Sequence, residues 1–66
     1  MMLIKLTVNG SPWYVRQNQD ELVLTQAKYF ATRFPKQAAF KLANSNRLFT
    51  LACGAFSSGE VEVVAA

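Results

Sequence analysis

The chain has 66 residues, 52% of them apolar, with seven basic and four acidic side chains for a net charge of +3. One cysteine and no histidine exclude an intramolecular disulfide and argue against a structural zinc site, so no metal or cofactor is expected. A single domain spanning residues 1–66 of this size buries only about 60% of the surface its unfolded chain exposes, which leaves close packing or self-association to stabilise it.

The first segment alternates, with Ile4, Leu6 and Val8 on one face and Lys5 and Thr7 on the other, the period of a half-buried strand. Asn9-Gly10 follows. This pair signals a hairpin, because a type I′ turn needs positive φ at both central residues. A two-residue loop closed by Val8 and Ser11 pairs Leu6 with Trp13, Lys5 with Tyr14, Ile4 with Val15 and Leu3 with Arg16, so apolar meets apolar on one face. Pro12 falls opposite Thr7 with its missing N–H directed away from the first strand. The second strand is therefore expected at a sheet edge, at least at that end.

A helix is expected next, over about residues 19–34. Asn18 and Glu21 have capping-box spacing, and Asp20 and Glu21 suit the positive end of the helix dipole. Val23, Ala27, Phe30, Ala31 and Phe34 fall on one stripe, and Pro35 pushes the residue before it out of the α region. A competing reading makes Leu22-Val23-Leu24-Thr25 a strand; the cap and the stripe favour the helix.

From Gln37 onward the period returns to two. Ala38, Phe40 and Leu42 share one face, with Ala39, Lys41 and Ala43 on the other. After Asn44-Ser45-Asn46, Phe49, Leu51 and Cys53 form one face and Leu48, Thr50 and Ala52 the other. An even loop pairs Phe40 with Leu51 and keeps the faces apolar. Gly54 is read as a bulge, Ser57-Ser58-Gly59 as a turn, and Glu60-Val61-Glu62-Val63-Val64 as a last strand. The expected fold is α+β, in the order ββαβββ: an antiparallel sheet with one helix packed on one face. Ile4, Leu6, Trp13, Val15, Phe40, Leu42, Phe49, Leu51 and Cys53 would form its inner face beneath Val23, Ala27, Phe30 and Phe34.

Little catalytic chemistry is available. Without histidine the chain lacks the usual general acid–base group. Cys53 sits on the expected inner face, where a free thiol behaves as a small apolar group. Asp20-Glu21 is explained by helix capping and Glu60/Glu62 by a solvated strand face. The glycines are isolated, so no phosphate-binding loop is present. These features point away from an enzyme.

Two surfaces are left for binding. Leu22, Gln26, Tyr29 and Arg33 line the outer side of the expected helix, and Tyr and Arg are enriched at protein interfaces. The open sheet face would carry Lys5, Tyr14, Arg16, Lys41, Leu48 and Thr50. Cations around an exposed ring are what single-strand nucleic-acid binders use, and the small apolar half of this face suits a homodimer contact. Leu22 to Gly59 contains five basic residues and no acid, which favours anionic partners. The expected arrangement disperses these charges: Lys28 and Arg33 go to different flanks of the helix, and Lys36 and Arg47 go to element ends.

A small protein-binding regulator or inhibitor is the leading expectation, with a nucleic-acid binder or a self-assembling subunit as alternatives. Met1-Met2-Leu3-Ile4-Lys5 lacks the basic start and apolar core of a signal peptide. No apolar run approaches a bilayer span, and the lone cysteine fits a reducing compartment. A cytoplasmic location without membrane contact is expected. Val63-Val64-Ala65-Ala66 resembles, over about three residues, the Ala-Ala ends of degradation tags; it reads first as a strand that ends.

Overall fold

The structure, a computed structural model, describes residues 1–45, 47–48 and 61–66. Strand β1 (Met2–Val8) and strand β2 (Ser11–Asn18) form the expected hairpin. Asn9 and Gly10 both have positive φ, +52° and +81°, and the pairs Val8–Ser11, Thr7–Pro12, Leu6–Trp13 and Lys5–Tyr14 hold the expected register.

Beyond the hairpin the chain departs from the expected order. Residues 19–34 are not a helix. Gln19-Asp20 is a second two-residue loop, closed by Asn18 opposite Glu21, with φ +57° at Gln19. The chain then returns as strand β3 (Glu21–Thr25), antiparallel to β2. The competing strand reading of Leu22-Val23-Leu24-Thr25 is the correct one. The residues read as a capping box close a hairpin instead. Period two in β3 sends Leu22 and Leu24 toward the core and leaves Val23, expected in the core, 39% exposed.

The helix comes one element later. Helix α1 (Lys36–Ala43) replaces the expected strand, with Pro35 at its N-cap position, φ −56°. Proline starts this helix instead of ending one; a ring-fixed φ is preorganised for a helix N-terminus. Lys-Gln-Ala-Ala-Phe-Lys-Leu-Ala contains no β-branched residue and is rich in strong helix formers. Its apparent alternation conceals Ala39, Leu42 and Ala43, spaced i, i+3, i+4, and these three pack toward the core. Phe40, expected inside, is 46% exposed.

Strand β4 (Val61–Ala65) forms near its expected place and pairs antiparallel with β1. The sheet order is β3-β2-β1-β4. β2 is thus an interior strand, contrary to the edge expectation, except at the end that motivated it. β3 stops pairing at Thr25 opposite Tyr14, so no third strand needs the N–H that Pro12 lacks. The class is as expected: α+β, an antiparallel sheet with helix α1 on one face. Phe49, Leu51 and Cys53, the expected loop between the second pair of strands, the Gly54 bulge and the Ser57-Ser58-Gly59 turn lie outside the described residues.

The core is one cluster of Ile4, Leu6, Val15, Phe34, Ala39 and Leu48, flanked by Met2, Val8, Leu22, Leu24, Leu42, Ala43, Val61 and Val63. Phe34 reaches it by an unusual path. The β1–β2 ladder ends at Lys5–Tyr14, so the expected Ile4–Val15 and Leu3–Arg16 pairs are absent from it. The two strands part there, and residues 32–34 fill the fork. Thr32 N–H donates to the Val15 carbonyl at 3.1 Å, and Phe34 exchanges two 2.8 Å hydrogen bonds with Met2. The Gln17 N–H donates to Thr32 Oγ1 at 2.7 Å. The inserted segment thereby satisfies the Val15 carbonyl, the Gln17 N–H and both backbone groups of Met2.

Candidate functional site

The fork determines how the second face of the sheet is used. Leaving β3, the chain is turned by a hydrogen bond from Ala27 N–H to Thr25 Oγ1 at 3.1 Å. Lys28–Phe30 form one 3₁₀ turn. This turn lies over the face opposite the core, and the chain then enters the fork at Thr32 and emerges at Phe34 on the core side, where α1 begins.

Two rows of side chains run across that opposite face. One is Glu62, Lys5, Tyr14 and Thr25, each directly opposite the next. The other is Val64 opposite Leu3, then the fork, then Arg16 opposite Val23. The 3₁₀ turn sits on the second row. The Arg16 guanidinium carbon stands 5.7 Å from the centroid of the Phe30 ring, within cation–π range. The Phe30 and Tyr29 rings are 4.5 Å apart and tilted by 43°. On the other side of the turn, Leu3, Lys28, Tyr29, Arg33 and Ala66 enclose a notch of about 260 Å³. Leu3, on the non-core face, is nevertheless buried.

The result is an exposed aromatic pair ringed by cations. Tyr29 is 83% and Phe30 52% exposed, and Arg16, Lys28 and Arg33 are exposed around them. Lys5 is half-buried and faces Glu62 across the β1–β4 pair, which offsets its charge. The Phe30 ring, touched by both Arg16 and Tyr29, has less side-chain freedom to lose on binding than an isolated exposed ring.

Several expected site residues move. Leu22, Gln26, Tyr29 and Arg33 do not form a helical stripe. Leu22 lies on β3 and packs against the core, Gln26 is exposed in the turn after β3, Tyr29 is in the 3₁₀ turn, and Arg33 is in the extended segment entering the fork. Of the residues expected on the open sheet face, Lys5, Tyr14 and Arg16 are there. Lys41 is on α1, on the core side of the sheet. Leu48 is 1% exposed, in the core. Thr50 lies outside the described residues. Tyr29 and Arg33, from one expected surface, thus join Tyr14 and Arg16, from the other, on a single face. Phe30 and Lys28 complete it. Phe30 belongs to the core only if residues 19–34 are helical; the strand period of residues 21–25 releases it to the surface.

Among the described residues no group of three His, Cys, Asp or Glu side chains could hold a metal ion. No described helix is long and apolar enough to cross a membrane. The fold and this face define a small α+β domain with an aromatic–basic surface. No protein-family model matches the chain, and no curated protein or solved structure matches it.

Proposed function

We propose that this protein is a non-enzymatic protein-binding module, a cytoplasmic regulator or inhibitor that docks through the Tyr29–Phe30 face onto an acidic partner surface. The observation that carries this reading is the exposed aromatic pair fixed over the sheet by Arg16. Tyr and Arg dominate the binding energy of protein interfaces. Here both sit beside a notch lined by Leu3 and Ala66, with two cations at its rim. The cations give an acidic partner a faster encounter and the rings supply the buried area.

A second reading, single-stranded nucleic acid, draws on the same rings and on Tyr14 beside Arg16. It is less favoured because Phe30 is already engaged by Arg16 and by Tyr29. Tyr29 is the more exposed ring of the pair and the one left to stack a base, and the Lys5–Glu62 pair adds no net positive charge at the far row.

The test is quantitative affinity capture with native protein and with Tyr29→Ala and Arg33→Ala, each checked for native circular dichroism. A specific partner should be retained by native protein and bound roughly thirtyfold more weakly by Tyr29→Ala, the effect of losing about 2 kcal/mol at a hot spot. A partner bound equally by both variants would remove this face from consideration. Fluorescence anisotropy with a labelled oligonucleotide runs alongside. Tight binding that falls steeply with salt would move the assignment to nucleic acid. Sedimentation over a concentration range separates self-assembly from both.

A further inference from the structure

The other side of the sheet carries a second, separate cavity. Between α1 and the β2–β3 end lies an open groove of about 340 Å³, at the lower end of the roughly 300–1,000 Å³ range of small-molecule sites. Its floor is apolar, formed by Phe34, Ala38 and Leu42. Its rim carries two cations from different elements, Lys41 on α1 and Arg47 beyond it.

The rim is partly preorganised. The Arg47 guanidinium donates to the Asp20 carbonyl at 3.2 Å, which ties it to the β2–β3 loop. The guanidinium has five N–H donors, so this bond leaves the rest of the fork available. Two other polar side chains of the lining are partly committed. Ser45 Oγ donates to the Leu42 carbonyl at 2.8 Å and Gln17 Nε2 to the Gln19 carbonyl at 3.2 Å. Arg47 and Lys41 are the charged donors of the groove, beside the second N–H of the Gln17 amide. Among the described residues no acidic side chain lines the groove, and Asp20 meets Arg47 through its backbone.

We infer that this groove binds a small amphipathic monocarboxylate, its carboxylate between Lys41 and Arg47 and its apolar body along Phe34, Ala38 and Leu42. An apolar floor alone would take a neutral hydrophobe, and a pair of surface cations alone would take any anion. The two together select a molecule with one charged end. A guanidinium fork matches a carboxylate bidentately, and the groove is too small for a lipid bilayer or a folded partner to enter.

The test uses the full chain and decanoate below its micellar concentration, followed by heteronuclear NMR, with decanol as the neutral match. Saturable shifts should concentrate at Ala38, Lys41, Leu42, Ser45 and Arg47. Lys41→Gln and Arg47→Gln should each weaken decanoate about two- to fivefold, the effect of one solvent-exposed ion pair, and leave decanol unchanged. Ala38→Trp, at an exposed helix position, should block both ligands while the remaining spectrum stays native. Equal affinity for decanol and decanoate would overturn the assignment. So would charge variants without effect, or shifts that map to the Tyr29–Phe30 face. Lys41 is exposed, so Lys41→Gln keeps the test decisive if Arg47→Gln disturbs the β2–β3 loop.

Discussion

Two substitutions distinguish the observed fold from the one with a helix at residues 19–34. In the observed fold Leu48 is in the core cluster with Ile4, Val15 and Phe34, and Val23 points outward from β3. In the helical arrangement Val23 is in the core stripe and Leu48 is on the open face. Leu48→Ala removes a side chain with almost no exposed surface, so the full transfer and cavity terms apply. Such changes cost about 2–5 kcal/mol. A 66-residue domain has roughly 3–10 kcal/mol of stability in total, at ~0.05–0.15 kcal/mol per residue. A loss near 3 kcal/mol would lower Tm by roughly 12–24 °C, since each kcal/mol moves a small domain by about 4–8 °C. Val23→Ala should cost no more than about 1 kcal/mol, the span of strand propensity. Urea unfolding reports both changes through Trp13, the single tryptophan, with far-ultraviolet circular dichroism as a second probe. A small effect at Leu48 together with 2 kcal/mol or more at Val23 would refute the topology described above.

Two further outcomes follow from the backbone. Gln19 holds φ +57° without being glycine; Gln19→Gly should raise stability by about 0.5–1 kcal/mol, because left-handed backbone costs other residues ~1–2 kcal/mol, partly offset by glycine's greater unfolded-state freedom, and a measured loss would contradict the loop geometry. Thr32→Ala deletes the acceptor of the Gln17 N–H and should cost about 1 kcal/mol, with faster hydrogen exchange at Gln17 as its signature; unchanged exchange there would mean that the fork is closed in some other way.

The β1–β2 hairpin was legible from its turn to the Lys5–Tyr14 pair because three signals agreed: alternation, an Asn-Gly turn and cross-strand matching of apolar residues. Residues 19–43 were not, because their signals conflict. Asn18-Gln19-Asp20-Glu21 has the residue types of a helix cap and also closes a two-residue hairpin. A turn that places Gln19 at positive φ is one sequence rules disfavour. Val23, Ala27, Phe30, Ala31 and Phe34 fit a helical stripe, yet the first and third face solvent and Phe34 reaches the core through the fork. In residues 36–43 the alternation of apolar side chains outweighed helix propensity, although the absence of any β-branched residue was the better indicator. Pro35 suits either boundary of a helix, and only its neighbours decide which.

The candidate surface was partly legible, and its unity was not. Tyr14, Arg16, Tyr29 and Arg33 were each recognisable as exposed contact residues, but the expected helix placed the last two on the far side of the molecule from the first two. Parting of β1 and β2 beyond Lys5–Tyr14 changes this. It opens a passage through the sheet, so the segment after β3 can cross the second face before reaching the core side. Without the fork that face would be bare, with Lys5, Tyr14 and Arg16 as scattered residues and Leu3 exposed. With it, Leu3 is covered, Arg16 gains the Phe30 ring as a partner, and Lys28 and Arg33 arrive beside Tyr29. Two of the five cations of the acid-free stretch, Lys28 and Arg33, thereby join Arg16 on this face, while Lys41 and Arg47 lie on the other. The hydrogen bonds of Thr32 that hold the fork closed are also what hold the aromatic–basic surface together, so stability at Thr32 and binding at Tyr29 should fall together in the Thr32→Ala protein, whereas Gln19→Gly should change stability alone.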